Sequence, residues 1–154
     1  MTKKLIAPLL ILLVAGFFAA RWLVQRLSPQ PERLGVVDGR FTPCPDSPNC
    51  VSTQADPGDA VHYVAPLPLG MSVAEAKVRL ANTIADMPRT TIITNTPDYL
   101  HAEARSAIWR FVDDVEVFVD EEARQIHFRS ASRLGYGDGD VNRRRVEAIQ
   151  ATFE

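Results

Sequence analysis

The chain has 154 residues, 46% of them hydrophobic and 23% charged, with a formal net charge of −2. That length fits one modest domain with appendages. From Ser28 onward, thirteen Lys and Arg stand against nineteen Asp and Glu, a net charge of −6. This balance argues against nucleic acid as a partner, because phosphate binding needs a positive field.

The first appendage follows Lys3 and Lys4. "LIAPLLILLVAGFFAA" carries no charge, and Arg21 and "WLV" come after it. Residues 5–24 make about 20 residues, or roughly 30 Å of helix, enough to span a bilayer. Arg21 can snorkel to the headgroups, with Trp22 at the interface. A cleaved signal peptide shares the basic start and apolar centre. Cleavage after Ala20 or Ala19, however, places Phe18 or Phe17 where a small residue is wanted. An uncleaved anchor is therefore expected over residues 1–27, in contact with the lipid bilayer through residues 5–24. Lys3 and Lys4 favour a cytosolic N-terminus and an exported domain, with Arg21 and Arg26 competing.

Residues 28–43 are polar and rich in proline and glycine, and read as a tether. "PCPDSPNC" then brings Cys44 and Cys50 within reach of each other across a proline-rich turn. In an oxidising compartment a disulfide is expected. The alternative of a structural zinc lacks the further ligands it needs, and the C-x-x-C spacing of a catalytic thiol pair is absent.

A single domain is expected over residues 44–154. In "GMSVAEAKVRLANTIADMPR", Ser72 and Glu75 form a capping box. Val73, Ala76, Leu80, Ile84 and Met87 give one apolar helical face, which Pro88 ends. "TTIITNT", "YLHAEAR", "WRFVDDVEVFVD" and "RQIHFRSASRL" alternate as strands of an antiparallel four-stranded meander. Centring the last turn between Glu121 and Glu122 pairs Asp114 with Arg129, Glu116 with His127 and Asp113 with Ser130, and sets Arg110 near Arg133. A final helix begins at Asp140, a plausible N-cap, and packs through Val146, Ile149 and Phe153. The fold class is α+β: the meander against two helices, preceded by a transmembrane helix.

Asp113 lies on the apolar face of its strand, between Phe111 and Val115, and must be paired or hydrogen-bonded there. Ser130, Ser132 and Ser106 can donate to it, and so can an arginine of the last helix. Arg143, Arg144 and Arg145 occupy a helix N-terminus, where positive charge is unfavourable. One reading is a strand-to-helix ion-pair network holding Asp113, Asp114, Ser130 and Ser132. The other is a bound anion, a carboxylate or phosphate, held by Arg129, Arg133, Arg143, Arg144 and Arg145.

Other chemistry is weaker. "DGDVN" begins like a calcium loop, but Arg143 stands where glycine is needed and Ile149 where glutamate is needed. His62, His101 and His127 lack metal-ligand spacing, and surface or pairing roles are expected for them. A triad of Ser130, His127 and Asp113 fails because His127 and Ser130 point to opposite faces. There is no P-loop, no G-x-G-x-x-G and no G-x-S-x-G, and nothing calls for a metal or cofactor.

"CPDSPNCVST", "RSAIWRFVDDVEV" and "RSASRLGYGDGDVNRRRVE", in that order, resemble the family known as domain of unknown function 1499, from Cys44 to the C-terminus. The resemblance implies a frequent N-terminal membrane segment or export signal, and no established activity. The family pattern reads S-R-x-G-x-S-D-x-G-x-N-R-x-R, and here Gly137 replaces its serine and Asp140 its second glycine. The expectation is a membrane-anchored, cell-envelope module that binds a small anionic ligand or a membrane protein without catalysis. The alternative is an enzyme with a pocket between the meander and the last helix, using Asp113 as general base.

Overall fold

The computed structural model of the chain describes residues 3–153. Met1, Thr2 and Glu154, at the ends of the expected anchor and domain, lie outside the described residues. Helix α1 (Lys3–Arg26) contains a 19-residue stretch, Pro8–Arg26, long and apolar enough to cross a membrane, and none of that stretch is buried.

A small hairpin follows, β1 (Val36–Val37) with β2 (Arg40–Phe41). Then come β3 (Cys50–Ser52), β4 (Leu67–Pro68), α2 (Val73–Ala85), β5 (Thr90–Asn95), β6 (Tyr99–Arg105), β7 (Val112–Asp120), β8 (Gln125–Ser132) and α3 (Val141–Gln150). A short 3-10 turn, Ala151–Phe153, closes the described chain. The Cys44–Cys50 disulfide is formed.

The main sheet has six strands, in the order β3-β8-β7-β6-β5, with β4 also on β8. The meander β5–β8 is therefore present, but a four-stranded sheet undercounts. Strands of three and two residues are too short to show a period-2 pattern. They cover the β8 edge, which would otherwise present unpaired backbone groups.

The β7–β8 register is two residues from the expected one. Glu116 faces Arg129, Val117 faces Phe128, Asp113 faces Ser132, and Asp120 faces Gln125. Arg133 meets Val112, not Arg110, through its backbone N–H. The cause is the turn, which spans residues 121–124 instead of pivoting between Glu121 and Glu122. Asp120 accepts the Ala123 N–H at 2.8 Å, and Arg124 takes the left-handed conformation (φ 54°) that returns the chain. A two-residue slip leaves every side chain on its own face.

One sheet face carries Leu100, Ala102, Val115, Val117, Val119, Ile126 and Phe128. It packs on Ala76, Leu80 and Ile84 of α2 and on Val146 and Ile149 of α3. Burial of these side chains is the main driving force for the fold, at about 1.5–3 kcal/mol for each large one. The helix α2 has the full Ser72–Glu75 capping box.

Candidate functional site: a cleft beside Asp113 and the ionic groups around it

Asp113 projects from β7 onto the core face and is buried. Arg145, one turn into α3, donates to its Oδ2 at 2.7 Å. The same guanidinium donates to Ser130 Oγ at 3.0 Å and to Asn142 Oδ1 at 2.6 Å. Asn142, fully buried, donates to the Asn49 carbonyl at 3.0 Å and to Ser132 Oγ at 2.9 Å. This network fastens α3 to β7, β8 and the loop before β3. It accounts for one arginine near the helix start, because the charge is balanced by a carboxylate and not left to the peptide dipoles.

Beside it lies a cleft of about 230 Å3 between the β6–β7 loop and the turn leading into α3. Phe111, Leu134 and Val141 line it with apolar side chains, and Ser106, Ser132, Asp113 and Asp138 with polar ones. Ser106 Oγ accepts from the Phe111 N–H at 3.0 Å and Ser132 Oγ from Asn142. Each hydroxyl thus keeps its proton to donate. Among the described residues, Asp113 Oδ1 accepts no hydrogen bond, since Arg145 takes the other oxygen.

The opposite sheet face carries a second group of charges. Arg133 donates to Asp114 at 2.7 and 2.9 Å, to Glu103 at 2.6 Å and to the Ser28 carbonyl at 3.3 Å. His101 Nε2 sits 2.8 Å from Asp114 Oδ1. Arg129 donates to Glu116 at 2.9 Å, while Tyr99 and the Gly35 N–H donate to the other Glu116 oxygen at 2.9 and 2.8 Å. Burial pushes the Asp114 carboxyl upward, but hydrogen bonds from Arg133 and His101 outweigh it and hold the group below its ordinary range. Burial beside Glu116 pushes the Tyr99 phenol far up, so it remains a donor.

The five arginines named from sequence are thus divided. Arg129 and Arg133 stand on the polar face of the sheet, and Arg145 on the core face. Arg143 donates to the carbonyls of Tyr63, Ala60 and Val61, tying α3 to the loop after β3. Among the described residues, Arg144 reaches only the Gly139 carbonyl, at 2.6 Å. Asp113, Ser130 and Ser132 come together, whereas Asp114 lies across the sheet from them. Sequence reasoning missed Asn49, Glu103, Glu116 and Asn142. Alternation in "YLHAEAR" puts Glu103 on the polar face, but only the true register brings Glu116 to Arg129. Asn142 stands at the asparagine of the family pattern, but nothing local marks Asn49, which it meets across 93 residues. Among the described residues, no group of His, Cys, Asp and Glu is arranged to hold a metal ion.

No curated protein and no solved structure matches the chain. Residues 40–153 match the family described as protein of unknown function (DUF1499), and the chain belongs to that family.

Proposed function

We propose that this member of the DUF1499 family is a membrane-anchored binding module of the cell envelope, with its domain exported and without catalysis of its own. The cleft beside Asp113 receives a small molecule with an apolar body and a hydrogen-bonding head. The observation that carries this reading is a lining that joins apolar side chains to polar ones with unused capacity: two hydroxyl protons and one carboxylate oxygen. A ligand donor would meet Asp113 Oδ1 and a ligand acceptor the serines, which is how mostly apolar pockets fix orientation. Export is supported by Lys3 and Lys4 at the start of α1 and by the disulfide.

Nothing in the cleft favours the alternative in which Asp113 works as a general base. Its carboxylate is tied to Arg145, in a network that fastens α3 to the sheet. The arginines first considered for an anion are engaged with the chain's own carboxylates and carbonyls, so the proposed head is a neutral or cationic donor.

Native mass spectrometry of the full chain, extracted from its membrane in mild detergent, tests the proposal. The expected result is a small-molecule adduct that disappears in Val141→Trp, which fills the cleft from an exposed helix position. A bare mass for the wild type, or an adduct that survives the filled cleft, would overturn it.

A further inference from the structure

The loop between β6 and β7, residues 106–111, exposes Ile108 by 62%, Trp109 by 44% and Phe111 by 38%. Phe111 lines the cleft beside Asp113, but an acidic domain has no evident use for Ile108 and Trp109 on the same short loop, and such clusters mark contact surfaces. The loop is also closed upon itself. The Ser106 N–H donates to the Phe111 carbonyl at 2.9 Å, and the Phe111 N–H to Ser106 Oγ at 3.0 Å. Arg110, at φ 64°, makes the left-handed bend that folds its tip.

That tip touches the anchor. The Trp109 ring lies 5.6 Å from the Phe17 ring of α1, and Arg21 donates to the Ile108 carbonyl at 3.4 Å. These contacts set a depth. Phe17 is one turn, about 6 Å, deeper along the helix than Arg21. If α1 crosses the bilayer, Arg21 belongs at the headgroups and Phe17 in the outer acyl region.

We propose that the β6–β7 loop is a second membrane contact, placing Ile108 and Trp109 at the headgroup–acyl boundary of the bilayer that α1 spans. The inference rests on α1 being an uncleaved anchor. Its occupant is lipid because the apolar tip is continuous with the lipid-facing helix. The side chains suit that depth. Tryptophan prefers the interface, and Arg21 supplies a partner for a carbonyl that lipid could not satisfy. Arg21, Arg26 and Arg110 form no salt bridge among the described residues, which leaves three cations for lipid phosphates at the face that meets the membrane.

The chain has two tryptophans, so fluorescence can separate the loop from the anchor. The full chain is placed in phosphatidylcholine vesicles with a minor anionic lipid, spin-labelled at a shallow or a deep acyl position. Trp22→Phe leaves Trp109 as reporter, and Trp109→Phe leaves Trp22. Trp109 is expected to be quenched more by the shallow label than by the deep one and to be shielded from aqueous iodide. Ile108→Asp is expected to abolish that lipid quenching while Trp22 keeps its own. Lipid-quenched Trp22 beside iodide-accessible Trp109 retains the anchor and overturns the loop contact. Trp109 shielded from both quenchers means protein cover, and also overturns it. Lipid quenching of neither residue removes the anchor and the loop contact together.

Discussion

From one guanidinium, Arg133 serves Asp114, Glu103 and the Ser28 carbonyl, and all of these side chains are largely out of solvent. Arg133→Ala leaves Asp114 with His101 and Glu103 with Arg105, so the loss should stay below the roughly 3–5 kcal/mol of a buried charge left wholly unpaired. Urea unfolding should show that loss, with Arg133→Lys recovering part of it because an ammonium cannot fork to both acids. The same pair sets an acid limit. Asp114 has a lowered folded-state pKa, so its stabilisation is present above the unfolded value of 3.8 and fades as pH falls through the folded one. Arg133→Ala should therefore flatten the acid limb of a stability–pH curve. Lys77 works at the alkaline end. Burial lowers its ammonium from 10.5 to about 8, while it donates to the Tyr99 carbonyl at 2.8 Å. The unfolded chain binds more protons at this site between those values, so Lys77 adds stability as pH rises from about 8 to 10.5. Lys77→Met is expected to remove that rise, read as thermal midpoints across the window.

At the N-terminus of α3, Asp140 occupies the N-cap position that its residue type suggests, yet its side chain makes no cap. The work falls to Asp138, whose carboxylate accepts the N–H groups of Asp140 at 3.0 Å and Asn142 at 2.8 Å. Asp140 instead holds φ 63°, a left-handed conformation, at the point where the family pattern has glycine. Asp138→Ala should cost about 1 kcal/mol by the usual value of a cap. Asp140→Gly should be neutral or stabilising, by up to about 1 kcal/mol, through relief of that conformation. Thermal melts should show a loss for Asp138→Ala and none for Asp140→Gly, and equal losses would contradict this division of labour. The contrast shows what was legible in the sequence. Helix α2 was readable because its capping box and apolar face are local, and both occur as read. The four long strands were readable through alternation. Their register depended on how many residues the turn uses, and β3 and β4 are too short to carry a period. The cleft was hardest, because Phe111, Ser132 and Val141 come from three segments that only the folded sheet brings together.

The whole molecule uses both faces of one sheet and closes them differently. The core face is sealed by two helices over a continuous apolar cluster. The polar face is closed by residues 28–41, a strap held mainly by hydrogen bonds. Gly35 donates to Glu116, Ser28 accepts from Arg133, and the Phe41 N–H meets Gln54 Oε1 at 2.8 Å. Phe41 is the buried apolar side chain in this stretch. So little apolar burial makes the strap a region of low local stability, since conformational entropy opposes the ordering of every residue in it. The disulfide then matters by position as well as by energy. It ties Cys44, three residues beyond Phe41, to Cys50, which pairs with Ala131 in the sheet. Closing so short a loop is worth about 2 kcal/mol in the chain-entropy view. Reducing it should release the strap before the sheet, because the groups it holds nearby are those with the fewest apolar contacts. Amide hydrogen exchange of the full chain, with and without reductant, can read this directly. Faster exchange at Gly35 and Phe41, with Leu80 and Val117 still protected, is the expected pattern. A uniform acceleration at all four would mean that strap and sheet open as one unit, and that the ionic face is as strongly closed as the core.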